Sequence, residues 1–345
     1  MLSASHELSR KLSVSRLEVC THDEWGHYVA RYPEANFLQS WEWGEAHREM
    51  GHDIIHHKLV VGDEVRGLVL GIIRNARRGR YLEIAGGPLI DWSDKTVAAD
   101  MLAHITALAK TKGCVFVRIR PQASNIDLVS YGGRLAKMHL HAEHTNTLDI
   151  TPDPDTLLEN MRQQTRYEVK RAPKRDLVVS VEHSHDALAR FTAMQADTAA
   201  RQHFIPSSPR FLASCQTAFG PAMSIYETRK DGELLNSALI INWGNEADYF
   251  EAASSPEARK EPGAYAILWQ AINDAKRAGI SRFNFWGVAP NDNPRHRYAK
   301  VTTFKRGFGG EDVAYTHAHD FVIRPLAYTK NWIVESIRRK KRNLS

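Results

Sequence analysis

The chain has 345 residues, 43% hydrophobic and 25% charged, with 46 Lys and Arg against 40 Asp and Glu for a formal charge of +6. That length implies two hydrophobic cores of roughly 150 residues each rather than one, and the composition excludes wholesale disorder. The positive balance tilts the chain toward polyanions such as RNA, nucleotide diphosphates or anionic lipid head groups, without choosing among them.

Met1 to Ser13 is Ser-rich, of mixed charge, and lacks both an apolar run and a small-residue cleavage site, so residues 1–15 read as a flexible tail and not as a signal peptide. A helical pattern near Trp41 to Met50 leads to alternating runs at Ile54 to Val61 and Val65 to Ile73, joined by Gly62-Asp63-Glu64. That combination predicts a hairpin. Arg80 to Ile84 reads as a further strand, followed by Gly86-Gly87-Pro88. Met101, Leu102, Ile105 and Leu108 then recur at helical spacing before Gly113, and Val115 to Arg120 reads as a strand. His144 to Ile150 predicts another strand, and Thr151-Pro152-Asp153-Pro154 caps one helix over Asp155 to Ala172, which Pro173 breaks.

The first order of elements then recurs. Met223 to Thr228, the turn Asp231-Gly232-Glu233, Leu235 to Trp243, Ala247 to Ala253, a helix from Ala264 to Lys276, Gly279 and a strand from Phe283 to Trp286 follow one another. Glu64 and Gly113 are 49 residues apart and Glu233 and Gly279 are 46 apart, so the halves read as two copies of one α/β unit. Val313 to Thr316 reads as a strand, and Pro325 opens a last helix. Leu326, Ile333 and Ile337 form an apolar face on it that needs a packing partner, and it runs into Arg338-Arg339-Lys340-Lys341-Arg342. The expected layout is a first domain over 16–150, a second over 151–324, and the final helix with its basic tail over 325–345.

No window holds the 18 or more apolar residues of a membrane helix. Cys20, Cys114 and Cys215 are isolated from one another, which predicts reduced thiols and a cytoplasmic location rather than a disulfide framework. The sequence contains no GxxxxGK[ST], GxGxxG, HExxH or GxSxG, which removes the NTPase, Rossmann, zincin and serine-hydrolase readings. His139, His141 and His144 cluster without an acidic or Cys ligand at standard spacing, so they read as solvated strand histidines, and no metal or cofactor is expected. Arg162, Arg166 and Lys170 fall on one face of the helix over Asp155 to Ala172, as a solvated stripe or as a contact for tRNA or another phosphate.

The densest segment runs from Arg282-Phe283-Asn284-Phe285-Trp286-Gly287-Val288, through Tyr298, to Thr303-Phe304-Lys305-Arg306-Gly307-Phe308-Gly309-Gly310-Glu311. It reads as strand, loop and a Gly-rich aromatic turn. Either the glycines let backbone approach a ligand while Lys305 faces a developing oxyanion, or this is a packed turn with an exposed lysine.

Taken together these residues resemble the Fem family of non-ribosomal peptidyltransferases (FemABX). The resemblance rests on Phe37-Leu38-Gln39-Ser40-Trp41-Glu42-Trp43-Gly44, Gly86-Gly87-Pro88, Val117-Arg118-Ile119-Arg120-Pro121, Thr165 to Lys170, Ala252 to Pro256, Phe285-Trp286-Gly287 and Phe304 to Glu311. It implies two tandem GNAT-like (acyl-CoA N-acyltransferase) domains, α/β (α+β), without a coiled-coil arm, and a last helix that returns to the first domain. It also implies an aminoacyltransferase that carries an amino acid from aminoacyl-tRNA to the stem-peptide amine of a peptidoglycan precursor, lipid II or UDP-MurNAc-pentapeptide, held between the domains. Lys305 matches the family's lysine at the oxyanion. Phe304, Arg306, Gln39, Trp43, Arg120, Tyr249 and Glu251 are the expected substrate-binding residues, of which Arg120 and Glu251 depart from the aspartate and tyrosine of shorter members. A monomer, with peripheral contact at the inner membrane surface left open, completes the expectation.

Two other classes stay in play. One is a GNAT N-acyltransferase using acyl-CoA on another amine, against which stands the failure of Arg306 to Glu311 to match [QR]xxGx[GA]. The other is a non-catalytic RNA- or envelope-binding protein.

Overall fold

The computed structural model describes residues 14–76, 79–202, 204–290 and 299–341; Met1 to Ser13, Tyr298 and Arg342 lie outside them. The chain divides into two units, Met1–His141 with Tyr315–Ser345, and Ala142–Ala314. The boundary therefore falls before the strand His144–Asp149 and not at residue 150. The first unit is also completed by the chain that follows the second, from Tyr315 on.

In the first unit, β1 (Ser15–Val19), α1 (His22–Val29) and α2 (Trp41–Glu49) precede β2 (Asp53–Val61), β3 (Glu64–Ala76), β4 (Gly79–Ala85) and the short β5 (Leu89–Ile90). Then come α3 (Lys95–Thr111), β6 (Phe116–Arg120) and β7 (Arg134–Leu135). The sheet order is β1-β2-β3-β4-β6, then β15 (His319–Val322), then β7, with β5 on β3. β4 and β6 run parallel and the other pairs antiparallel, because α3 crosses over between β4 and β6 while tight turns join the hairpin strands. The inner face of the sheet, Ile55, Leu59, Val69, Ile73, Leu82 and Ile84, packs on Val97, Met101, Leu102 and Ile105 of α3. β1 starts at Ser15, the last residue of the expected tail, which pairs with Val61.

Gln39 does structural work here. Its side chain is fully buried; Nε2 donates to the carbonyls of Leu70 (3.1 Å) and Ala85 (2.8 Å), and Oε1 accepts from the Leu70 amide (3.0 Å). It bridges β3 and β4 just beyond Ile72–Glu83, where their ladder stops. A Cβ on Gly87 would lie 2.6 Å from the Gln39 amide carbon, which is why Gly86-Gly87-Pro88 follows β4. Both donors of the Gln39 amide are thus committed to backbone, in place of the substrate contact expected of it. Gln39→Leu strands three buried backbone groups and is expected to cost about 2–4 kcal/mol in denaturant unfolding; a change near zero would refute the bridging role.

The second unit holds β8 (His144–Asp149), α4 (Pro154–Asn160), α5 (Gln163–Arg171), β9 (Val178–Glu182), α6 (His185–Gln202), α7 (Pro209–Phe219), β10 (Met223–Lys230), β11 (Glu233–Trp243) and β12 (Glu246–Ser254). α8 (Gly263–Arg277), β13 (Arg282–Gly287), α9 (Ala299–Arg306) and β14 (Glu311–Ala314) complete it. The order is β14-β8-β13-β12-β11-β10-β9, with β12 and β13 parallel across α8 as β4 and β6 are across α3. Both units share the plan of hairpin, third strand, helix and parallel strand. No coiled-coil arm interrupts the described residues of this unit, whose longest helix is the 18-residue α6.

Two expectations fail locally. The single helix over Asp155 to Ala172 is two, because Met161 turns extended (ψ 149°) to bury its side chain and the Arg162 amide leaves the helix to donate to the Gly307 carbonyl (2.9 Å). The strand expected at Val313 to Thr316 starts earlier, as β14.

The last helix, α10 (Pro325–Lys341), packs within the first unit, through a face other than the apolar one. Tyr328, Asn331 and Glu335 are buried, while Leu326, Ile333 and Ile337 are exposed. Arg118 fixes that choice: it donates to both oxygens of Asp320 (2.7 and 2.9 Å) and of Glu335 (3.3 and 2.8 Å), and the Tyr328 hydroxyl donates to Asp320 (2.9 Å).

Candidate active site

Lys305 lies in the last turn of α9, a helix where the sequence reads as a turn, and is only 7% exposed. Its Nζ donates to the Gly287 carbonyl (2.8 Å) and sits 5.6 Å from the centre of the Tyr249 ring. Burial pushes the ammonium down from its ordinary 10.5 to about 7, because taking a charge out of water disfavours the charged form. The exposed-lysine alternative is therefore wrong.

The Gly287 carbonyl is available because β13 leaves its ladder there. Its pairing with β8 shifts register between Asn284 and Gly287, and Trp286 takes a left-handed backbone (φ 60°), an unusual conformation for a bulky residue. Asn284 holds that bend, accepting from the Trp286 amide (2.8 Å) while donating to Glu246 (3.0 Å). Thr302 ties α9 to the same stretch, accepting from the Ala289 amide (2.8 Å). Asn284, Thr302 and the Gly287 carbonyl are parts of the site that the sequence reading missed; Phe285-Trp286-Gly287 marked the place without showing the bend.

Around this point Phe304 packs edge-on to Tyr265 (4.9 Å) and Phe308 (5.5 Å), and Arg306 pairs with Asp312 (2.8 Å). Gly307 and Gly310 answer to close packing against the protein's own atoms. A Cβ on Gly307 would meet the Thr165 hydroxyl at 2.2 Å, and one on Gly310, whose φ is 84°, would meet the Thr147 carbonyl at 2.3 Å. Gly310→Ala combines a left-handed backbone with a backbone clash, so a loss of about 2–4 kcal/mol is expected. An unchanged denaturation midpoint would contradict this.

Of the expected site residues, the fold brings together Tyr249, Phe304 and Lys305, with Arg306 following. Glu251 pairs with Leu239 on the opposite face of β12 to Tyr249 and is held by Gln195 of α6 and by Ser207, its carboxyl raised by burial. Arg162 precedes the first turn of α5, Arg166 donates to the Glu159 carbonyl (2.9 Å), and Lys170 is exposed in its last turn, so the three form no continuous helical stripe.

Trp43 and Arg120 belong to the first unit, both essentially buried. Trp43 meets His47 (4.8 Å) and His141 (5.7 Å) edge-on, and Arg120 donates to Gln122 (2.9 Å) with Tyr315 beneath its guanidinium (5.3 Å). Arg74 donates to Glu83 (2.7 and 3.2 Å) and stands 3.3 Å from His47 Nδ1. Burial keeps His47 neutral, down to about 2, and His141 down to about 4. His141 is therefore not a solvated strand histidine: it sits outside any strand with φ 57°. Sequence reading named Trp43, Arg120 and His141 but missed His47, Arg74 and Glu83, which join them from α2, β3 and β4.

No described helix is long and apolar enough to cross a membrane. Among solved structures, FemX superposes with a TM-score of 0.82 at 16% identity, over 93% of this chain and 100% of that one. A tandem GNAT protein from the clavulanic acid biosynthesis pathway superposes with a TM-score of 0.59 at 12% identity, over 90% and 98%. These likenesses give the fold: two tandem GNAT-like units. Among curated proteins, the aminoacyltransferase FemB of Staphylococcus epidermidis is 30% identical over 116 residues, 33% of this chain and 27% of that protein. The aminoacyltransferase FemA of Staphylococcus aureus is 36% identical over 81 residues, 24% of this chain and 19% of that protein. The matched stretches thus span about a quarter of those relatives or less. The FemAB family model matches residues 20–149 and 212–335, most of both halves, and the chain belongs to the FemAB family.

Proposed function

We propose that the chain is an aminoacyltransferase that moves an amino acid from aminoacyl-tRNA to the stem-peptide amine of a peptidoglycan precursor. The observation that carries the reading is Lys305, a buried ammonium titrating near neutrality beside Tyr249 and the Gly287 carbonyl in a chain of this family. An aminoacyl ester is already activated, so the acceptor amine attacks its carbonyl directly, with no covalent enzyme intermediate. The carbonyl oxygen takes negative charge in the tetrahedral intermediate, and Lys305 donates a hydrogen bond to it from low-dielectric surroundings where such a bond counts most. Collapse breaks the ester bond, the tRNA ribose hydroxyl leaves, and the proton released by the amine completes it. Phe304 and Tyr249 shape the apolar wall, Arg306 sits paired at its edge, and Trp43 and Arg120 of the first unit are proposed as substrate contacts.

Lys170 and Arg166 on α5, next to the exposed ring of Tyr167, offer a contact for the tRNA backbone. The test incubates the chain with a pool of charged tRNAs and either lipid II or UDP-MurNAc-pentapeptide, and weighs the acceptor. A gain equal to an amino-acid residue, lost with Lys305→Ala, is expected. No gain with either acceptor would end the proposal.

A further inference from the structure

In α10 the usual arrangement of an amphipathic helix is reversed. The face turned into the protein carries Tyr328, Asn331 and Glu335, 4%, 6% and 8% exposed, and is fastened by Arg118 and Asp320. On the opposite face Leu326, Ile333 and Ile337, spaced seven and four residues apart, are 90%, 48% and 51% exposed. At about 100° per residue these three fall within roughly 40° of one another, and Lys330 lies on the same arc, exposed. Trp332, 40% exposed with the Lys137 ammonium 4.6 Å above its ring, lies about 100° round the helix from Ile333, between the ridge and the buried face. The helix then runs into five consecutive basic residues, Arg338-Arg339-Lys340-Lys341-Arg342.

We propose that this outward face of α10 docks on an anionic lipid bilayer. A ridge of aliphatic side chains, an aromatic at its flank and a basic cluster at one end together match a helix lying in the interface plane, with its apolar side among the acyl chains and its cations among acidic head groups. A partner protein or a second copy would supply the apolar cover but gives no reason for the exposed Lys330 and Arg338 or for a sequence that continues basic through Arg342. The Arg118 network keeps the ridge outward, so docking requires no refolding of the helix. The inference is independent of the reaction proposed above.

Pelleting of the full chain with vesicles of phosphatidylglycerol and phosphatidylethanolamine, against phosphatidylcholine vesicles, tests it. Binding to the anionic vesicles should exceed that to the neutral ones by about tenfold and weaken with salt. Leu326→Ser/Ile333→Ser/Ile337→Ser should lose binding by at least about tenfold with its melting midpoint unchanged, since the side chains it alters are exposed. Ile333→Ser alone, the milder change, should lose part of it. Lys330→Gln/Arg338→Gln should reduce the anionic preference, by roughly fivefold or more. No binding to either vesicle, unaltered binding by the triple serine variant, or a concentration-dependent dimer that this variant abolishes would each overturn the proposal, the last by assigning the face to a second copy.

Discussion

Lys305→Met is expected to stabilise the chain at neutral pH while removing the proposed aminoacyl transfer. The unfolded chain holds the lysine proton up to its ordinary 10.5, whereas the folded chain releases it at about 7. Between those values the unfolded state binds more protons, so the wild-type chain gains stability as pH rises through the window, and below about 7 the full cost of the buried charge is present. A lowering of that size corresponds to roughly 4–5 kcal/mol. The lost bond to the Gly287 carbonyl offsets part of it, which leaves a gain of roughly 2–4 kcal/mol for methionine at or below neutral pH, shrinking as pH approaches the free-lysine value. Denaturant midpoints for the two chains across that window measure it, and a variant less stable at every pH would show that the charge is not under strain.

The same substitution removes the proposed oxyanion donor, and a loss of about 10²–10³ in kcat is expected. In the wild type, the share of the rate that depends on Lys305 should decline as pH climbs through about 7, because the ammonium is the donating form. A gain in stability paired with a loss of function separates a catalytic lysine from a structural one, which would lose both.

Arg118→Met should destabilise the first unit by about 3–5 kcal/mol and loosen α10. Burial opposes the Arg118 charge, but Asp320 and Glu335 together hold the guanidinium protonated well above its ordinary range. All three side chains are buried, so removing the cation leaves two carboxylates without it, and among the described residues only Asp320 keeps a side-chain donor, the Tyr328 hydroxyl. Breaking one member of a buried ion pair costs far more than the pair is worth, because the survivors are left unsolvated and unpaired. Hydrogen exchange should show the amides of α10 losing protection first. Arg118→Met/Asp320→Asn/Glu335→Gln should recover much of the loss, since it removes the orphaned charges with the cation. A loss below about 1 kcal/mol for Arg118→Met would contradict the view that this network fixes the helix.

Local chemistry made the repeated plan legible. Gly62-Asp63-Glu64 and Asp231-Gly232-Glu233 announce hairpins, Gly113 and Gly279 stop helices, and strand alternation supplies the rest, so β2, β3, α3 and β6 and their second copies β10, β11, α8 and β13 fall close to where the sequence puts them. Features decided by partners distant in sequence were hidden. Arg118 lies 202 residues from Asp320 and 217 from Glu335, and without that network the apolar ridge of α10 looks like the side that should pack. Met161 and Arg162 look helical until the Gly307 carbonyl draws the Arg162 amide away. At the candidate site, Lys305 stood out by its neighbours in sequence, but its burial depends on a left-handed Trp286 that no spacing rule indicates. Gln39, read as a substrate contact, is instead claimed by the backbone of β3 and β4.

The most direct measurement offers the chain aminoacyl-tRNA and acetyl-CoA in one reaction with a stem-peptide acceptor, the amino acid isotopically labelled, and weighs the product. A labelled amino-acid residue on the acceptor amine, absent with Lys305→Met, is the predicted result. An acetylated acceptor, or one unchanged, would contradict it.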